Sequence, residues 1–233
     1  MSWTVKKQNG IGGVMLTASH NPPSFNGFKL KAWFGGSADP SICQGVEACV
    51  DRSPVSATPL AEALILGTAV GLAASGMVPV PEIQFLGFSY QAFHQLAGQV
   101  ARLRYRSNGR FDAPITIRAP FGGGVRTPEL HSEAIEGQLA NIPGLKIVLP
   151  GSARDAAGLL AASIRDPDPV LFLEPLRGYR SLRDDLPDDE DVLEPLGRAK
   201  LVREGSDLVI VTWSYQVEVA RRAAEQLAEE GYS

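Results

Sequence analysis

A few side chains in this sequence have surroundings that suggest chemistry. Ser19 lies in Thr17-Ala18-Ser19-His20-Asn21-Pro22, a stretch framed by Gly, Pro and Asn residues. Such framing holds a loop open by backbone geometry and presents the hydroxyl. A hydroxyl that accepts and donates a phosphoryl group needs a cation nearby, and Lys29 could supply it. Glu62 stands near the start of Leu60–Met77, a segment rich in small residues and apolar nearly all round. An apolar helix leaves a carboxylate little solvated surface, so Glu62 is expected to have a dedicated partner. His131 opens His131-Ser132-Glu133-Ala134, shortly after the glycine run Gly122–Gly124. An imidazole on such a loop suits proton transfer near neutral pH. Phe88 is an aromatic that could stack on a ring or simply pack in a core.

The elements that must position these residues follow from periodicity. Residues 1–50 are rich in Gly, Pro, Asn and Ser, and Asp51–Pro59 reads as a linker. The chain then becomes regular. Leu60–Met77 predicts a buried helix, with Thr58 as N-cap and Pro59 as its first residue. Glu62 then falls one place past the capping-box position and is a first-turn acid favoured by the helix dipole. Val78–Phe85 predicts a strand. Tyr90–Ser107 predicts a helix, with Phe93, Leu96, Val100 and Leu103 at helical spacing. Ala113–Pro120 and Leu145–Pro150 predict strands. Ala153–Asp166 predicts a helix capped by Ser152. Pro169–Pro175 is a continuous apolar run, as in a parallel strand covered on both faces. The acidic stretch Asp184–Pro195 reads as a solvated connector. Asp207–Trp213 and Val217–Gly231 predict a last strand and helix. Strands alternating with helices imply an α/β fold with a mostly parallel sheet.

Bulk properties narrow the function. The chain has 233 residues, 44% hydrophobic and 21% charged, with a formal net charge of -4. That mild acidity argues against nucleic acid as a partner, which would need a basic face. No apolar run is long enough to cross a bilayer, and the first residues lack a secretory signal's apolar middle, so a cytoplasmic location is expected. Cys43 and Cys49 fit no metal or redox spacing and read as free thiols.

Residues from about 2 to 50 resemble the active-site loop of the α-D-phosphohexomutases, on the motif Thr17-Ala18-Ser19-His20-Asn21-Pro22. The resemblance implies a phosphoryl-carrying serine at Ser19, with His20 and Lys29 beside it. The family's magnesium loop, Asp-Gly-Asp-x-Asp-Arg, does not occur anywhere in the chain. The serine loop therefore reads as orphaned from its partners.

Most of the remaining chain, from about residue 57 to 233, resembles the β subunit of the decarboxylating component of 2-oxo acid dehydrogenase complexes. The resemblance rests on Thr58–Phe85, Leu103–Arg126, His131–Ala134, Pro143–Pro175 and Gly178–Ser181, in the family's order. It implies a thiamine diphosphate enzyme acting on pyruvate or branched-chain 2-oxo acids. Glu62 would hydrogen-bond the cofactor's aminopyrimidine ring, Phe88 would stack on it, and His131 would act near the substrate channel. Some members hold potassium, here implied at Ile115, Ser163, Ile164, Asp166 and Asp168. A helix C-terminus ended by Arg165–Pro169 explains the same residues without an ion. The magnesium motif is expected on a partner α subunit. The implied partners are that subunit, in a heterotetramer, a lipoyl-bearing acyltransferase core and a 2-oxo acid.

The expected architecture is a three-layer α/β/α domain of the transketolase-like pyrimidine-binding type over residues 57–195. A partial phosphohexomutase-like segment would precede it at 1–56, and the start of a transketolase C-terminal-like domain would follow at 196–233. The two resemblances together suggest a chimera of two fragments. The expected function is that of a β-subunit part, inactive without its α subunit. The alternatives are a phosphohexomutase fragment and a non-catalytic docking module.

Overall fold

A computed structural model describes residues 58–124, 126–184 and 193–233, together with the backbone of residues 15–17 and 27–29. The last two stretches are strands β1 (Met15–Thr17) and β2 (Gly27–Lys29), paired antiparallel with Met15 opposite Lys29. Ser19 and His20 lie outside the described residues.

The main sheet is parallel. It contains β3 (Thr116–Phe121), β4 (Lys146–Val148) and β5 (Val170–Pro175), in the order β3-β5-β4. Thr116 is in register with Val170 and so is Lys146, so β5 is hydrogen-bonded on both sides. Alternation along the strands sends successive side chains to opposite faces. Ile117, Ala119 and Phe121 of β3 and Leu171 and Leu173 of β5 join one core. That core is completed by Leu66, Ala69 and Ala73 of helix α1 (Glu62–Ala74) and by Leu86, Leu96 and Val100. Val170 and Phe172 face the other way, against Leu160 and Ile164 of helix α2 (Ala153–Arg165). Helix layers thus cover both faces of a buried sheet, which is the expected three-layer arrangement and the reason β5 can be continuously apolar.

Several expectations are corrected in detail. Helix α1 has Ala61, not Thr58, at its N-cap, and Glu62 is its first helical residue. The Val78–Phe85 strand reduces to a single parallel bridge, Glu82 with Arg118. Pro79 and Pro81 lack N–H groups and only accept, from Thr116 at 3.2 Å and Arg118 at 2.9 Å. The helix expected over Tyr90–Ser107 is a 3₁₀ segment (Leu86–Ala92), then a π-helical turn (His94–Val100), then one α-turn (Leu103–Arg106). Arg106 reaches back to the Gly98 carbonyl at 2.6 Å within this wider winding. Helix α2 is capped as expected: Ser152 Oγ accepts from the Asp155 N–H at 3.0 Å.

The last helix, α3 (Gln216–Glu229), forms where expected, but Asp207–Trp213 is not a strand. Among the described residues, the Asp207 N–H is the one in this run bonded to backbone, at the Ser233 carbonyl. A ladder needs a neighbouring strand, and none lies beside this run among the described residues. Val209 and Val211 are therefore 87% and 83% exposed.

Candidate functional site

Glu62 is 7% exposed at the head of α1. Among the described residues it accepts no side-chain hydrogen bond and forms no ion pair. Its carboxylate oxygens are not fully sealed, so a donor from another molecule could reach them.

The 3₁₀ segment packs against α1 and carries Phe88. Phe88 and His131 come together. Their ring centroids are 5.1 Å apart and nearly perpendicular. Phe85 completes the cluster, 4.7 Å from the imidazole and 6.1 Å from Phe88. Edge-to-face packing of this kind fixes a ring's orientation. The imidazole Nδ1 lies 3.1 Å from the Glu129 carbonyl oxygen. A carbonyl can only accept, so Nδ1 carries the proton and donates. In the neutral ring Nε2 is then the bare nitrogen, placed to take a proton from a bound molecule. Phe85 was not singled out in the sequence. It lies extended just before the 3₁₀ segment, at the end of the expected strand, so no helical spacing to Phe88 pointed to it.

Of the five residues implied for potassium, four have oxygens that already accept from protein donors. The Ile115 carbonyl accepts from Val170 and the Ser163 carbonyl from Thr116 Oγ1. Asp166 holds Lys146 Nζ through both oxygens at 2.7 and 2.8 Å. Asp168 holds Arg104 at 2.8 Å and Lys146 at 3.3 Å. Burial alone would raise the Asp168 carboxyl, but the hydrogen bonds from Arg104 and Lys146 outweigh it and hold it below the usual range. As arranged, the chain's own cations neutralise this acid pair. Among the described residues there is no group of three or more His, Cys, Asp or Glu placed to hold a metal ion.

This geometry can be set beside known proteins. The family described as "Transketolase, pyrimidine binding domain" matches residues 23–181. The chain belongs to this family. A second description, "Transketolase, C-terminal domain", matches residues 197–233. The pyrimidine-binding match takes in Lys29 and leaves Ser19 and His20 outside. The chain is 48% identical over 192 residues to the pyruvate dehydrogenase E1 component subunit beta of Staphylococcus aureus strain N315. It is 47% identical over the same length to the subunit of that name from Staphylococcus epidermidis strain ATCC 12228. Each alignment covers 82% of this chain and 59% of the relative, so the chain spans well under two thirds of the curated relatives it matches. Among solved structures, a split gene transketolase described as an inactive beta4 tetramer superposes with a TM-score of 0.64 at 20% identity. That alignment covers 80% of this chain and 56% of the other, and it shows a shared fold.

Within this transketolase pyrimidine-binding domain, one buried cluster escaped the sequence reading. Arg118 of β3 is 6% exposed and donates through Nε to Glu174 Oε1 at 2.6 Å. It also pairs with Glu82 at 3.4 Å, and Tyr179 donates to the other Glu174 oxygen at 2.7 Å. Burial opposes the Arg118 charge, yet Glu174 and Glu82 more than repay it and lock the guanidinium protonated. Burial and the adjacent Glu174 carboxylate push the Tyr179 hydroxyl well above its usual range. The cluster ties Glu82, β3, β5 and the turn at Gly178–Ser181 together. Its signal in the sequence was one arginine inside an otherwise uncharged buried strand. The glycine run after β3 is a tight loop, as expected, with Gly122 and Gly124 at positive φ.

Proposed function

We propose that this chain is the β-subunit part of a thiamine diphosphate-dependent 2-oxo acid dehydrogenase. The observation that carries this is Glu62, a carboxylate 7% exposed at the head of an apolar helix and without a protein partner among the described residues. It is the group an aminopyrimidine ring would satisfy. The similarity to pyruvate dehydrogenase E1 beta subunits supports the same assignment.

Thiamine diphosphate, when bound, supplies the electron sink for the carbanion left by loss of carbon dioxide. The chain's own residues do three things. Glu62 accepts a hydrogen bond from a ring nitrogen and so holds its proton. Phe88, oriented by Phe85 and His131, offers a ring to stack on the aminopyrimidine. His131, with Nδ1 tied to Glu129, moves a proton through Nε2 at the substrate.

The partners that fit are an α subunit carrying the magnesium and diphosphate half of the site and a lipoyl-bearing acyltransferase that receives the acyl group. Leu60 and Leu64, 63% and 50% exposed beside Glu62, provide an apolar surface that such a subunit would cover. The test is decarboxylation of pyruvate and of branched-chain 2-oxo acids by the full chain mixed with an α subunit, thiamine diphosphate and magnesium. Glu62→Ala and Glu62→Gln are each expected to cut the rate by about 100-fold or more. Undiminished turnover by either variant would overturn the assignment.

The β1–β2 hairpin favours a second reading. It pairs Met15 with Lys29 on either side of the segment that contains Ser19 and His20. That segment would carry phosphoryl transfer on a hexose phosphate. Labelling of Ser19 from glucose 1,6-bisphosphate tests it; no label would remove the reading.

A further inference from the structure

We propose that Gly87 is a positioning residue for His131, acting through the backbone of Leu130; the inference rests on the role given above to His131. A Cβ built on Gly87 would lie 2.2 Å from the Leu130 carbonyl oxygen and 2.8 Å from both the Leu130 Cα and the Glu133 Cγ. Real Cβ atoms do not approach backbone so closely, so no other residue fits here without displacing the loop. Gly87 is buried and its φ is not in the left-handed region, so the requirement is for space rather than conformation.

The contact presses on a strained point. Leu130 has φ of 70°, a left-handed conformation that is costly for a leucine and persists only where the surroundings impose it. His131 follows directly. On its far side the loop is pinned by the Gly122 N–H, which donates to the Glu133 carbonyl at 3.0 Å. The imidazole is thus aimed from three directions. Gly87 admits the Leu130 backbone against the 3₁₀ segment, the Gly122–Glu133 bond fixes the other end of the loop, and Phe85 and Phe88 hold the ring. Gly87 and Phe88 are adjacent, so one short segment seats the imidazole's backbone and also packs against its ring.

The test is the nuclear magnetic resonance signature of His131 in the full chain. The chain has three histidines, so its imidazole is readily assigned. In the unsubstituted chain, its carbon-bound protons should be displaced upfield by Phe85 and Phe88, and its nitrogen shifts should show Nδ1 protonated. Gly87→Ala is expected to abolish the upfield displacement and mix the two tautomers. Gly137→Ala, where a Cβ meets nothing within 4 Å, should change neither. With the α subunit present, Gly87→Ala should lower kcat by about 100-fold through misplacement of the imidazole, with KM for the 2-oxo acid little changed. If Gly87→Ala does not fold, Leu130→Gly decides. It takes the left-handed conformation freely, should fold, and should keep the upfield displacement and the tautomer, because the seat at Gly87 is intact. A folded Gly87→Ala with unchanged His131 signals would overturn the proposal, as would a folded Leu130→Gly that loses them. These signals are read without turnover. An unsubstituted chain that decarboxylates nothing would sink the enzymatic assignment and leave the positioning result standing.

Discussion

Glu62 and Arg118 bury the same kind of group in opposite ways. Arg118 has two carboxylates around it, and Tyr179 satisfies the far oxygen of Glu174. Removing the guanidinium would strand those carboxylates in a dry interior. Arg118→Met is therefore expected to destabilise the fold by about 3–5 kcal/mol in chemical denaturation. Glu62 has no such enclosure. Glu62→Gln removes a buried charge that no described residue compensates, so its Tm should stay level or rise while turnover is lost. The two variants would separate a charge kept for the fold from one kept for a ligand. Glu62 could be singled out in the sequence because an acid heading an apolar helix contradicts its surroundings. Arg118 contradicts its strand in the same way, but its partners, Glu82 and Glu174, are far away along the chain. Their convergence depends on strand order, which no local pattern encodes.

Among the elements, the turn between α2 and β5 gathers the most charge. Asp166 and Asp168 there clasp Lys146 at the start of β4 and Arg104 of the Leu103–Arg106 turn. The folded-state carboxyl of Asp168 is depressed. Its contribution to stability is therefore present above the unfolded carboxylate value, about 4, and is lost as pH falls below that toward the folded value. Thermal unfolding followed from pH 6 downward should show a loss at the acid end that is smaller in Asp168→Asn. Both groups are partly exposed, so added salt should shrink the difference. Helix α2 and strand β5 follow their patterns because each is fixed locally, one by the Ser152 cap and one by an unbroken apolar run. The Tyr90–Ser107 stretch does not. Its apolar spacing suits an α-helix as well as a π-helical turn, and the choice shows only in which carbonyl each N–H reaches. The Ala101 N–H bonds to Leu96. Val78–Phe85, expected as a strand, differs for another reason: Pro79 and Pro81 remove donors that a full ladder would use.

At the scale of the whole molecule, the sheet and its two helix layers form one well-buried unit, and residues 193–233 are attached to it by a few contacts. Val217 meets Gly151, Glu194 meets Gly158 and Lys200 pairs with Asp155. No residue of α3 is buried. The Leu208–Val211 run has high β propensity, carries no charge or proline and is exposed throughout. Such a run can add strands from other chains. Val209→Lys with Val211→Lys should lower concentration-dependent light scattering and leave the Tm of the sheet unchanged. No helix among the described residues is long and apolar enough to cross a membrane. The location of β5 has one more consequence. It is the strand with neighbours on both sides and helices on both faces, so its amides can meet solvent only when the whole unit opens. Placed in heavy water, the molecule would keep a record of its own architecture. Leu171 and Phe172 should hold their hydrogens longest, and Val209 and Val211 should give theirs up almost at once.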